Sequence, residues 1–131
     1  MKMKTEFDYS VVADFLDSSI KERIVHELAS PKKRIKAIDR FSHNTDSIIN
    51  TKRLYFKGNS INETIKKEIK NSAPNGVVLS FKYQAGKQMS IDDAFDYLDD
   101  ESSVVLIITK NHLVIKPECE GGEGNIFILK N

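Results

Sequence analysis

Six carboxylates crowd into ten residues: Asp92, Asp93, Asp96, Asp99, Asp100 and Glu101. If this stretch is helical, Asp92, Asp96 and Asp100 share one face, because they stand four apart. Asp92 and Asp93 then complement the positive end of the helix dipole, whereas Asp99, Asp100 and Glu101 oppose it at the other end. Local helix energetics therefore account for only part of the cluster. The chemistry that such a set offers is recognition of a basic partner, set against the plainer role of a solvated outer face. A basic counterpart lies earlier in the chain: Lys32, Lys33, Arg34, Lys36 and Arg40. Positive charge at a helix start is locally unfavourable, so these five residues are a second candidate face, for which phosphate is the natural ligand. No aromatic residue interleaves with them and no RNA-binding signature of the K/R-G-F-G-F-V type occurs, which argues for solvated surface.

Other chemistries find less material. His26, His43 and His112 are far apart in sequence, and none has a second histidine or a cysteine at metal-ligand spacing. Asp39 and His43 stand four apart, a spacing suited to a surface hydrogen bond. Neither a metal nor a cofactor is expected. Cys119 is flanked by Glu118 and Glu120, which should raise its thiol pKa and disfavour the thiolate, so it makes a poor nucleophile. No G-x-S-x-G elbow is present. The glycine-rich run from Glu118 to Gly124 carries three glutamates and precedes no helix, whereas a phosphate cradle needs free N–H groups at a helix start. It reads as an acidic bend between strands.

The chain has 131 residues, 40% hydrophobic and 30% charged, enough for one continuous core and a single domain over residues 1–131. Its net charge of +1 hides an asymmetry, with 15 Lys/Arg against 10 Asp/Glu in residues 1–70 and 5 against 9 thereafter. A charged partner should thus meet a local face and not a global field. The longest apolar run, Val104 to Ile108, is too short to span a bilayer. With no apolar segment behind the first lysines and one cysteine in all, the expected location is the cytoplasm.

Apolar periodicity gives the elements that must carry these groups. Val12, Leu16, Ile20, Ile24 and Leu28 step by four and predict a helix from Tyr9 to Ala29. Ser30-Pro31 stops it and opens a second helix to about Ile49, with a break near Ser42 to Asn44 in question. A short strand is expected over residues 52–57. Ser60 and Glu63 then match a capping box at the start of a helix with Ile61, Ile65 and Ile69 inward. A strand over 76–83 follows, then a helix capped by Ser90 with Ile91, Ala94, Phe95 and Leu98 inward. Strand–helix–strand–helix–strand between residues 52 and 109 implies two crossovers and parallel strands. Lys110-Asn111 permits a hairpin into residues 113–116, and residues 125–130 form a last strand. The predicted fold is α/β or α+β: two N-terminal helices on a mixed sheet of about five strands, parallel in its first part and antiparallel at its end.

In size, layout and acidic surface the chain resembles the immunity proteins that accompany bacterial polymorphic and contact-dependent toxins. The stretches that carry the likeness are P-K-K-R-I-K-A-I-D-R-F-S-H from Pro31, I-D-D-A-F-D-Y-L-D-D-E from Ile91, and I-K-P-E-C-E-G-G-E-G-N-I-F-I-L from Ile115. The resemblance implies a non-enzymatic inhibitor that binds a cognate toxin domain, often a basic nuclease. Two other readings are a nucleic-acid-associated regulator using Lys32 to Arg40, and a small hydrolase or transferase using Asp39 and His43.

Overall fold

The apolar stretch from Tyr9 to Ala29 does not run as one helix. In the computed structural model, which describes residues 7–118 and 124–131, a 3-10 helix spans Tyr9–Phe15 and α1 spans Lys21–Ala29. Asp8 caps the first, accepting from the Ser10 N–H at 3.0 Å. Asp17 binds both the N–H and the hydroxyl of Ser19, an Asx-type turn that competes with helix. Leu16 meanwhile forms an antiparallel bridge with Ile49, and the Asn50 N–H donates to the Phe15 carbonyl at 2.9 Å. Long-range backbone bonds thus take over donors and acceptors that a continuous helix would have used.

A turn over residues 31–33 precedes α2, Arg34–His43, which stops at Asn44 before the single turn of α3, Thr45–Ile48. The doubtful break near Ser42 to Asn44 is therefore present. β1 is Leu54–Gly58 and α4 is Glu63–Ser72. Asn62, and not Ser60, caps α4, its side-chain oxygen accepting from the Ile65 N–H at 2.9 Å. The expected capping box is displaced because Asn62 sits directly before the helix and does the same work with better geometry. β2 is Asn75–Ser80, β3 is Lys87–Ser90, and α5 is Ile91–Asp100, capped by Ser90 as expected. β4 (Val105–Ile108), β5 (His112–Lys116) and β6 (Ile126–Lys130) complete the sheet.

The sheet has six strands in the order β1-β6-β5-β4-β2-β3, and every neighbouring pair is antiparallel. The expectation of about five strands with a parallel part is thus corrected. Its cause is β3, a short polar strand hidden in the sequence between β2 and α5. β3 turns the chain back before α5 crosses over, so β4 arrives antiparallel to β2. The first crossover, through α4, does join two strands of the same direction, but β6, β5 and β4 lie between them.

Helices cover both faces of this sheet. On the first face Leu79, Leu106, Ile108, Leu113, Ile115 and Leu129 pack with Phe15, Ile24, Leu28, Ile38 and Phe41 of the N-terminal helices. On the second, Val78, Val105, Ile107, Val114 and Ile128 pack with Ile69 of α4 and with Ile91, Phe95 and Leu98 of α5. Burial on both sides explains the unbroken apolar run of β4 without any parallel pairing. Each such Leu, Ile or Phe contributes about 1.5–3 kcal/mol through removal from water. α5 therefore has one side anchored and the other presented to solvent.

Candidate functional site

The side of α5 turned away from the sheet carries the acids. Asp92, Asp93, Asp96, Asp99 and Asp100 are all exposed, and Glu101 is half-buried. Geometry divides them. Lys70 of α4 reaches Asp92 at 2.6 Å, and Lys66 lies 3.8 Å from Asp99. The Ser103 hydroxyl donates to Glu101 at 2.7 Å. Asp93, Asp96 and Asp100 form no ion pair among the described residues. The C-terminal end of α5 is also less electrostatically strained than its sequence implies, because Lys116 of β5 donates to the Leu98 carbonyl at 2.7 Å. Lysines of α4 and β5 thus stabilise the helix end locally while leaving the outermost carboxylates open.

The basic segment is dismantled by the fold. Arg34 is buried, its Nε donating to the Leu28 carbonyl at 2.6 Å and Nη1 to the Gln84 carbonyl at 3.2 Å. Its guanidinium also stacks 4.7 Å from the centre of the Tyr9 ring. Arg40 makes two bonds to Glu27, at 2.8 and 3.0 Å, which tie α2 to α1 and hold the guanidinium's pKa above its ordinary value. Lys32, Lys33 and Lys36 remain exposed. These lysines, on α2 and the turn before it, and the α5 acids belong to segments that cover opposite faces of the sheet. They are two separate surfaces.

His43 is 3.6 Å from Asp39 and 3.9 Å from Glu118, and both Asp39 and His43 are more than half exposed. This is an open surface contact. Cys119 and the glycine-rich stretch 120–123 lie outside the described residues. No group of three metal-ligating side chains occurs among the described residues. A pocket of about 370 Å³ opens beside Pro74, Val77 and Ile108, and none of the predicted charged clusters lines it.

Sequence reasoning missed a polar cluster built from four elements. The register between β1 and β6 slips at Tyr55, whose neighbours Leu54 and Phe56 face Leu129 and Ile128. Tyr55 is thus the extra residue of a bulge, a device that re-aims a side chain. Its hydroxyl donates to Glu68 Oε1 at 2.8 Å, and Lys130 Nζ donates to Glu68 Oε2 at 2.8 Å. These two bonds, the lysine's first, hold the Glu68 carboxyl below its ordinary pKa. Beneath them His112 is 1% exposed, with Nε2 3.7 Å from Glu68 Oε2 and neither ring nitrogen in a hydrogen bond among the described residues. Burial pushes the His112 pKa down; Glu68 pulls it back part of the way and Lys130 adds to the depression. The only sequence-level signal was one histidine at the mouth of an otherwise apolar strand.

Among known proteins, no family model, no curated protein and no solved structure was found to match the chain. No helix among the described residues is long and apolar enough to cross a membrane.

Proposed function

We propose that this is a non-enzymatic binding protein that uses the outer side of α5 to dock a basic partner. One observation carries the reading: Asp93, Asp96 and Asp100 project from a helix whose other side is locked into the core, and no counter-ion pairs with them among the described residues. A rigid row of open carboxylates accelerates encounter with a positively charged surface and imitates the phosphates that a nuclease binds. The resemblance to immunity proteins supports a cognate toxin domain as that partner. The nucleic-acid alternative loses support, since Arg34 and Arg40 are committed to internal contacts.

The decisive experiment pairs the protein with the toxin domain encoded beside its gene. Binding is measured by calorimetry across a salt series, with the Asp96→Lys/Asp100→Lys double variant beside the native chain. The variant should remain folded, lose at least tenfold in affinity, and show a flatter salt dependence. Absence of a toxin neighbour, or a folded variant with native affinity and salt slope, overturns the proposal.

A further inference from the structure

The buried histidine invites a question that the α5 face does not answer. Burying an imidazole with no closer partner than a carboxylate oxygen at 3.7 Å is costly, and protonation of the ring would strengthen that one contact. Among the described residues, the two charged groups facing His112 are Glu68, from α4 above it, and Lys130, its cross-strand partner on β6. The third titratable group, Tyr55 on β1, reaches it only through Glu68. Glu68 therefore has three suitors for two oxygens. With His112 neutral, Tyr55 holds Oε1 and Lys130 holds Oε2.

We propose that this cluster is an acid-sensitive latch on edge strand β1, in which protonation of His112 draws Glu68 away from Tyr55 and Lys130. A protonated ring is a donor at both nitrogens, and it stands 3.7 Å from a carboxylate oxygen. Closing that gap to the roughly 2.8 Å of a charge-assisted bond moves the Glu68 carboxylate by about one ångström. Two cations cannot share Oε2 without repulsion, and Lys130, about 40% exposed, is the one free to swing into water. The same movement lengthens the bond from Tyr55, the bulged residue.

The consequence falls on β1 because, among the described residues, that strand has a neighbour on one side only. Its backbone pairs with β6, and the side-chain tie from Tyr55 to Glu68 fastens it to α4. Loss of that tie removes the hydrogen bond from β1 to α4 and leaves the ladder, with the packing of Leu54 and Phe56, to hold the strand. Strands β4 and β5, each flanked on both sides, have no such dependence. The device requires no ligand, and it holds whether or not α5 binds a basic partner.

The test is a pH titration of the native protein by NMR, from pH 7.5 to 4.5. The His112 ring should titrate below 6.5, and the Tyr55 ring and Lys130 Nζ environment should shift with the same midpoint. Protection of the amides of residues 55–57, corrected for intrinsic exchange, should drop severalfold across that midpoint while residues 113–115 keep theirs. In Glu68→Gln, which keeps shape and removes charge, the His112 midpoint should fall further and the coupled Tyr55 shift should vanish. His112 titrating at or above 6.5, or titrating with no matching change at Tyr55 and β1, overturns the proposal. Because the main readout uses the unaltered chain, a variant that fails to fold leaves it decisive.

Discussion

Arg34 shows how one side chain can be withdrawn from an apparent charged patch and given a structural task. Its guanidinium caps α1 by donating to the Leu28 carbonyl in the last turn, where a cation complements the helix dipole. The second bond, to Gln84, ties the same helix end to the loop after β2. Hydrogen bonds to charged groups contribute about 1.5–3 kcal/mol each, so Arg34→Ala should cost about 3 kcal/mol in chemical denaturation. Lysine keeps the charge but lacks the fork, and Arg34→Lys should recover less than half of that loss. His112 gives a second expectation, in pH. Its folded-state pKa lies below the ordinary 6.5, so the folded protein binds fewer protons than the unfolded chain just under that value. Its contribution to stability is complete above pH 6.5 and declines as the pH falls below it. Glu68, shifted below 4.5, contributes fully above that value and loses its contribution at more acidic pH. Denaturation midpoints measured between pH 7.5 and 5 should fall for the native chain and stay flatter for His112→Leu.

At the scale of elements, caps and turns decide where the apolar patterns become helices. Asn62→Ala should cost about 1 kcal/mol, the usual value of an N-cap, and Ser60→Ala should cost almost nothing. Comparing the two by thermal melting separates the observed cap from the one that the S-x-x-E pattern predicts. Gly86, in the loop before β3, has φ +79°, and a Cβ there would stand 2.6 Å from the Tyr9 hydroxyl. Gly86→Ala should therefore lower the melting temperature by several degrees, since backbone strain and a side-chain clash act together. The helices with clean apolar stripes, α4 and α5, were legible because their periodicity and their burial agree. The long N-terminal helix was not, because Asp17 and the Leu16–Ile49 bridge break it, one locally and one through the tertiary fold. β3 was hidden for another reason. As an edge strand of sequence Lys-Gln-Met-Ser it buries little, so hydrophobic alternation gives almost no signal there.

Over the whole molecule, the α5 acids and the exposed Lys32, Lys33 and Lys36 lie on opposite sides of the sheet, while α4 brings Lys67 and Lys70 to the acidic side. The acidic cluster was readable as a set in the sequence, and so was its placement on one side of a helix. Which of its members are open was not, because Lys66 and Lys70 come from another element. Raising ionic strength should thus weaken partner association while changing fold stability little, which calorimetry and melting in matched salt series will separate. The order of strands has a further consequence, for assembly in time. β6 lies between β1 and β5, so among the described residues the earliest strand finds its only neighbour in the latest. During synthesis β1 must wait, its edge unpaired, while β2 through β5 emerge and join by local hairpins and the α5 crossover. The slow event in folding should be insertion of β6 into the slot between them, the step with the longest loop to close. Stopped-flow mixing should find that Ile128→Val slows refolding less than Ile107→Val does, since β6 is only partly docked in the transition state for its insertion, whereas β4 is already in place.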